Sequence, residues 1–525
     1  MRGTRGATRS CGQRLLRPPP GLDLRFAETK SLTDAISGQN LITFTRASSG
    51  TYVGSDGLIK TATTNLLRRS EEFDNASWTK TNASITENAA LAPNGTLTAD
   101  KLQFDNGVAA QNCPIVQDAL GLTPLIPYTI SIYLKAGDVS EARLQINGRT
   151  SGGVTVGTVI YSFSLVGAGS FSFVGTSGTP PTGISASIVL VGDGWYRCRV
   201  TATTPATSEI VRMLVTGNAG TTGTGTNGFF MWGAQLEQSA TVGEYIPTGA
   251  TINSAPRFDH NPLTGESLGL LVEEARTNLL LNSATLSTQS VTVTAVAHTL
   301  SFYGTGTITL SGASTAGPVT GTGVFPARTT LTFTPTAGSL TLTVTGSVVN
   351  AQLEAGAFAT SYIPTTTSAA TRSADVVSIT GTAFSSWYRQ DEGTIFARCS
   401  GGSLSNNGVS FDANDGTTSN RHVCNWSTSR VTTSVSNVIQ SDLNLTDPSA
   451  ANEVTQIAFA FKANDFGASF KGEAAVVDTS GTVPTVDRLT IGDDANGGNI
   501  LNGHIRRLTY WPQRLPNNSL VGITR

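Results

Sequence analysis

The chain has 525 residues, with Lys+Arg 34 against Asp+Glu 36, a net charge of −2 and only 13% charged residues. That balance provides no basic field to hold a nucleic-acid backbone by counter-ion release, so no nucleic-acid partner is expected. No stretch approaches about 18 uninterrupted apolar residues, so no membrane insertion is expected either. The 56 glycines and 21 prolines, with threonine at roughly one residue in seven, favour turns and pleated, half-buried surfaces. An all-β chain of about three to four domains is expected.

Residues 1–20 read as a basic disordered arm: Arg2, Arg5, Arg9, Arg14 and Arg17 precede any acid, and Pro18, Pro19 and Pro20 close the segment. Leu15 and Leu16 are too short a run for the core of a secretory signal. The arm either docks on another protein or is a leader, including one from a start codon called too early. Residues 21–63 then read as an N-terminal β segment.

From Thr64 the chain repeats itself. Thr64-Asn65-Leu66-Leu67 and Ser70 return as Thr277-Asn278-Leu279-Leu280 and Ser283. Ala234-Gln235-Leu236-Glu237 followed by Tyr245-Ile246-Pro247-Thr248 returns as Ala351-Gln352-Leu353-Glu354 followed by Tyr362-Ile363-Pro364-Thr365, an offset of 117. The first motif opens a module and the second closes it, giving a sandwich over 64–248, an ordered linker over 249–276 and a small sandwich over 277–365. Tyr128, Ile130, Ile132 and Leu134 alternate with Thr129, Ser131, Tyr133 and Lys135, the period of a strand with one buried face. The third region, 366–525, continues that style in Ile457, Phe459 and Phe461, and no amphipathic helix beyond about three turns has the required period.

The five cysteines (Cys11, Cys113, Cys198, Cys399, Cys424) are an odd count without a C-x-x-C pair, so neither a disulfide framework nor a zinc site is indicated. Cys399 and Cys424 are candidate neighbours across a sheet.

Phe44-Thr45-Arg46-Ala47-Ser48, Pro256-Arg257-Phe258-Asp259 and the run from Gly269 to Leu279 resemble segments shared by tail-fibre-like and head-fibre-like virion proteins of tailed phages and prophages. Tyr128 to Ala136 and Gly194-Trp195-Tyr196-Arg197 are similar to jelly-roll carbohydrate-binding modules of those proteins. Leu489 to Gly492 and Asn502 to Leu508 before Tyr510 resemble a concanavalin or laminin-G-like lectin sandwich. The resemblance implies a non-enzymatic virion component on a tail or head surface, commonly a homotrimer, made in a bacterial host cytoplasm. It implies attachment to other virion proteins through the N-terminal region and display of modules to host-surface polysaccharide. Fold membership alone does not establish sugar binding.

A catalytic constellation is hard to assemble. His260, His298, His422 and His504 each stand alone, without metal-ligand spacing, and read as surface or turn residues. Gly265-Glu266-Ser267-Leu268-Gly269 matches the G-x-S-x-G elbow, but a turn precedes it and a strand follows, so no helix would project the serine. Glu237 and Glu354 recur at module boundaries, which argues for a structural role, as for Glu273 and Glu274. No catalytic residue is assigned.

Sugars are held by aromatic faces with amides and carboxylates on loops of rigid sandwiches. Trp78, Trp195, Trp232, Trp387, Trp426 and Trp511 are the stacking candidates, with Trp195 and Trp232 read as packing residues. Trp426 with Asn425, beyond Asn414 and Asp415, is the candidate carbohydrate site, against a core role for the indole. No cofactor is required. Asp493, Asp494 and Asn496 form a turn whose oxygens are candidates for calcium, against a simply solvated turn. The expected function is host-glycan adsorption. The alternatives are a capsid or tail decoration protein that binds no glycan, and a polysaccharide depolymerase with a carboxylate pair across a groove.

Overall fold

The structure, a computed structural model, describes residues 18–404, 407–445 and 450–525. The expected basic arm therefore lies outside the described residues except for Pro18 to Pro20. The described residues are all-β, and their α-helices, Phe26–Thr29, Gly381–Ser385 and Asn517–Ile523, are at most seven residues long.

One compact unit comprises 44–257 and 274–375 and contains two sandwiches. In the first, one six-stranded antiparallel sheet runs in the order Thr182–Gly192, Trp195–Thr203, Pro127–Ala136, Gly228–Glu237, Ala99–Phe104, Ala83–Ala90. The facing sheet runs Ser170–Gly178, Thr155–Ser164, Glu141–Arg149, Ile210–Gly217, Ile115–Leu120, Thr79–Lys80. The chain crosses from sheet to sheet between its central strands, the wiring of a jelly roll. The alternation expected over 128–134 is present: Tyr128, Ile130, Ile132 and Leu134 point into a core shared with Leu144, Ile146, Met213 and Phe229.

The small sandwich packs Gln289–Val293, Gly338–Thr345, Thr307–Gly312 and Val319–Thr320 over Thr329–Phe333, His298–Gly304 and Val348–Ala355. Its core includes Leu300, Phe302, Ile308, Leu340, Leu342 and Leu353.

Among the described residues, the other unit comprises 18–43, 258–273 and 376 onward. One sheet is built on the neighbours Ser267–Val272, Gly503–Trp511, Glu392–Gly401, Thr455–Lys462 and Phe466–Phe470; the other on Val376–Thr380, Arg488–Ile491, Val409–Asn414, Arg421–Asn425, Arg430–Val435 and Val438–Asn444.

This partition corrects two expected segments. Residues 21–63 are not one N-terminal piece: Leu22–Leu24 pairs with Leu508–Tyr510, so 21–43 falls in the unit of the C-terminal sandwich and 44–63 in the unit that holds the other two sandwiches. Nor is 249–276 a linker throughout, because Leu270–Val272 pairs with Gly503–Ile505 and makes 258–273 part of the C-terminal sandwich. Strand partners far along the chain decide membership here. Asp23 shows the energetic reason: it is buried and its carboxylate takes hydrogen bonds from Arg507 at 2.8 Å and Thr509 at 2.9 Å.

Candidate functional site

The first sandwich carries a polar row on the outer face of one sheet. Along Ile115–Leu120 the residues alternate, with Ile115 and Ala119 in the core and Val116, Asp118 and Leu120 on the opposite face. The register sets Asp118 beside Arg212, Arg212 beside Asn147 and Asn147 beside Thr158, so these four side chains lie in line across adjacent strands. Arg212 donates from Nε to Asp118 Oδ1 at 2.7 Å and from Nη2 to Oδ2 at 2.8 Å, while Arg149 Nη1 reaches Oδ2 at 2.8 Å. One carboxylate thus fixes two guanidinium groups. Next in the row, Asn147 Oδ1 is buried without a hydrogen-bond partner among the described residues.

A wall rises beside this row because Gln117 holds a loop against the sheet. Its Oε1 accepts from the Arg68 backbone N–H at 2.6 Å and its Nε2 donates to the Arg68 carbonyl at 2.9 Å, which leaves the Arg68 side chain exposed. Arg68, Gln117, Asp118 and Arg212, with Leu66, Leu120, Leu122 and Ile252, line a cleft of about 410 Å³. A second cleft of about 600 Å³ shares Leu66 and Ile252 and is rich in hydroxyls: Ser48, Ser49, Thr61, Thr63, Thr64 and Ser239. Fixed guanidinium and hydroxyl donors beside small apolar patches can bond a polyol and cover its C–H faces.

No family model matches the sequence. No curated protein matches it either. Among solved structures, similarity reaches the enzymatically active domain of bacteriophage CBA120 tailspike protein 4, at 13% identity over 33% of this chain and a TM-score of 0.22. The chain spans only 21% of that tailspike domain. The CBM40 module of Ruminococcus gnavus IT-sialidase, bound to α2,3-sialyllactose, is 16% identical over 26% of this chain and 83% of its own length, with a TM-score of 0.22. Domains LG4-5 of the mouse laminin α1 chain are 9% identical over 79% of this chain and 88% of their own length, with a TM-score of 0.20. At these values none of the three bears on what the clefts bind.

The residues expected to form a carbohydrate site do not come together, and that expectation is corrected. Trp426 is 1% exposed: its indole lies over Gly401, where a Cβ would overlap the ring, and its Nε1–H donates to Thr455 Oγ1 at 2.8 Å. It offers no face to a sugar. Asn425 lies beside it and caps the following turn through Ser427 and Thr428. Asn414 and Asp415 are at the opposite end of the hairpin that pairs Val409 with Asn425 and Asn414 with Arg421. Asn414 is fully buried and bonds the Asp412 carbonyl, Thr490 and Gly416, whereas Asp415 caps its own turn through Thr417 and Asn420. All six tryptophans are buried, Trp195 and Trp232 in the packing role expected of them.

The calcium candidates hydrogen-bond within their own turn. Asp493 accepts from the Asp494 N–H; Asp494 accepts from Asn496 N–H, Gly498 N–H and Asn499 Nδ2, and Arg421 lies 3.7 Å away. Among the described residues no cluster of three His, Cys, Asp or Glu side chains is arranged to hold a metal. Cys399 and Cys424 are free, buried thiols.

The reading of the histidines as surface or turn residues is corrected too. His260, His298 and His422 are buried, and His422 stacks on Phe461 with centroids 4.3 Å apart while Thr433 holds its Nδ1 at 2.9 Å. Burial lowers the His422 pKa to about 3, which keeps the ring neutral. Ser267 of the G-x-S-x-G match begins a strand, as expected of a chance match.

Sequence reasoning passed over Arg68, Asp118, Arg149 and Arg212 because it sought aromatic faces on loops. A usable signal was present: Arg149 and Arg212 occupy outward positions of strands whose alternate residues are apolar.

Proposed function

We propose that this chain is a non-enzymatic, glycan-binding structural protein of a phage or prophage virion, which adheres to host-surface polysaccharide through its jelly-roll module. The observation that carries the binding is the cleft edged by Arg68, Asp118 and Arg212, in which the Asp118 carboxylate, itself also bonded to Arg149, fixes the Arg212 guanidinium beside the exposed Arg68. The virion assignment rests on the Phe44–Ser48, Pro256–Asp259 and Gly269–Leu279 motifs. Weak single sites would gain by repetition along a particle. A second reading, a decoration protein that binds only other virion subunits, is favoured by the burial of all six tryptophans, since none is presented for stacking.

The test is a glycan array and whole-cell binding assay on the full chain, with Arg68→Ala beside the wild type. Arg68 is exposed, so its loss leaves folding intact. Saturable binding that weakens at least tenfold in Arg68→Ala is the expected result. No binding by the wild type on any glycan or host cell would leave the decoration reading as the better account.

A further inference from the structure

We propose that the jelly-roll module carries a second binding face, on the sheet opposite the Arg68 cleft, where Arg197 and Arg199 take the anionic group of an acidic polysaccharide, a uronate carboxylate or a sulfate. The polymer class rests on the glycan reading of this module; the preference for an anion rests on the charge of this face alone. The face is built by three adjacent strands, Thr182–Gly192, Trp195–Thr203 and Pro127–Ala136. Their charged residues are Lys135, Arg197 and Arg199, with no Asp or Glu, in a chain whose acids slightly outnumber its bases.

Alternation turns both arginines outward, because Tyr196, Cys198 and Val200 fill the core. Residues two apart on one face of a strand stand about 7 Å apart. Arg197 lies over the Tyr133 ring, 5.4 Å from its centroid, and donates from Nη2 to Ser131 Oγ at 3.1 Å. Ser131 is the register partner of Arg199, so this bond leans the first guanidinium toward the second arginine. Arg199 donates from Nε to Ser187 Oγ at 2.5 Å. Hydroxyls thus orient both groups without neutralising them, and neither arginine pairs with a carboxylate among the described residues. Glu237, on the next strand of the sheet, is buried, and its oxygens take Gln235 Nε2 and the Gly243 N–H.

Two like charges held side by side repel, and an anion between them removes that repulsion while its oxygens accept from the unused N–H groups. The planar guanidinium fork fits such oxyanions in bidentate fashion. The neighbouring strand adds what a sugar needs. Ile184, Ala186 and Ile188 pack against the core, which turns Ser185, Ser187 and Val189 outward beside the arginines. They supply two hydroxyls for a polyol and an apolar side chain, 56% exposed, for its C–H face. On the other side the segment from Ser239 to Tyr245 walls the ledge: the Ser239 carbonyl accepts from Thr129 Oγ1 at 2.8 Å, and the Tyr245 ring stands 6.0 Å from that of Tyr133.

The test is binding of the full chain to polygalacturonate, to its carboxyl-reduced form and to dextran sulfate, by biolayer interferometry over a salt series. Wild type is expected to bind at least one of the two anionic polymers at least tenfold more tightly than the reduced one, with affinity falling as salt rises. Which anionic polymer binds identifies the group as carboxylate or sulfate. Arg197→Gln and Arg199→Gln are each expected to lose at least tenfold in that affinity with unchanged melting, because glutamine removes the charge without adding bulk. Lys60→Gln, whose ammonium is already paired with Asp56, is expected to lose nothing. Equal affinity of the wild type for charged and reduced polymers, or anionic binding that survives in both folded arginine variants, would overturn the proposal and leave the glycan reading standing. Loss of anionic binding in Arg68→Ala alone would do the same, by placing the anion in the other cleft. A wild type that binds neutral glycans but neither anionic polymer also overturns it, whereas binding of no glycan of any kind fails both readings.

Discussion

Asn65 and Asn278 make the same four hydrogen bonds in two sandwiches of different size. Asn65 Nδ2 donates to the carbonyls of Ala234 and Ile246, both at 2.9 Å, while Oδ1 accepts from the N–H groups of Leu67 and Leu236. Asn278 repeats this with Ala351, Ile363, Leu280 and Leu353. Gln235 and Gln352 accept from Ile246 and Ile363, and Ser70 and Ser283 bond Tyr245 and Tyr362. The repeated motifs are therefore one clasp that ties the opening of a module to its closing strand. Replacing Asn65 or Asn278 by Ala strands two buried carbonyls and two buried amides at roughly 1–3 kcal/mol each. Each variant is expected to lower the unfolding transition of its own sandwich by at least about 3 kcal/mol, measured by calorimetry, with the larger proportional effect in the small sandwich.

The clasp shows what was legible in the chain. Repetition at unequal spacing marked Glu237 and Glu354 as structural, and both bond the loop before the closing motif, through Gly243 and Thr360. Strand alternation revealed the sandwiches because one face of each sheet is buried. The membership of Leu22–Leu24 and Leu270–Val272 was hidden, because their partners lie hundreds of residues away and no local pattern records them. Trp426 misled for a related reason: polar neighbours such as Asn425 and Ser427 suggest an exposed loop, yet Gly401 on a different strand makes the hole that the indole fills.

A second prediction concerns Asp375. This carboxylate is fully buried between Arg46, 2.7 Å away, and Arg257, both also buried. Two motifs far apart in sequence, one containing Arg46 and the other Arg257, meet on it. Asp375→Asn keeps the shape but leaves the guanidinium groups without that charge, and breaking such a buried pair costs about 3–5 kcal/mol. Thermal unfolding should show the loss as a drop of several degrees. A melting point equal to wild type would mean other groups carry the compensation.

The pH dependence of the C-terminal sandwich follows from Asp412. Burial pushes its pKa from 3.8 up to about 7, only partly offset by Arg421, 3.4 Å from Oδ2, and Asp493 is likewise pushed up to about 7 by burial. A raised folded-state pKa means that the contribution is fully present below 3.8 and is lost as pH rises through 7. Asp412→Asn, which cannot ionise, should match wild type near pH 4 and exceed it at pH 8. A melting difference between the two proteins that stays constant from pH 4 to 8 would show that Asp412 does not titrate in this range.

The last prediction separates packing from recognition at Trp426. Truncating this buried indole to Ala removes its contacts with Gly401 and its bond to Thr455, and large aromatic-to-Ala changes cost about 3–5 kcal/mol. Gly401→Ala attacks the same contact from the other side by placing a methyl group where the ring lies, so it should destabilise without removing any aromatic surface. Both variants should lower the melting point of the C-terminal sandwich. Their folded fractions should bind any glycan ligand with wild-type affinity, because neither residue is exposed. A glycan affinity lost in Trp426→Ala but kept in an equally destabilised Gly401→Ala would return the indole to a binding role.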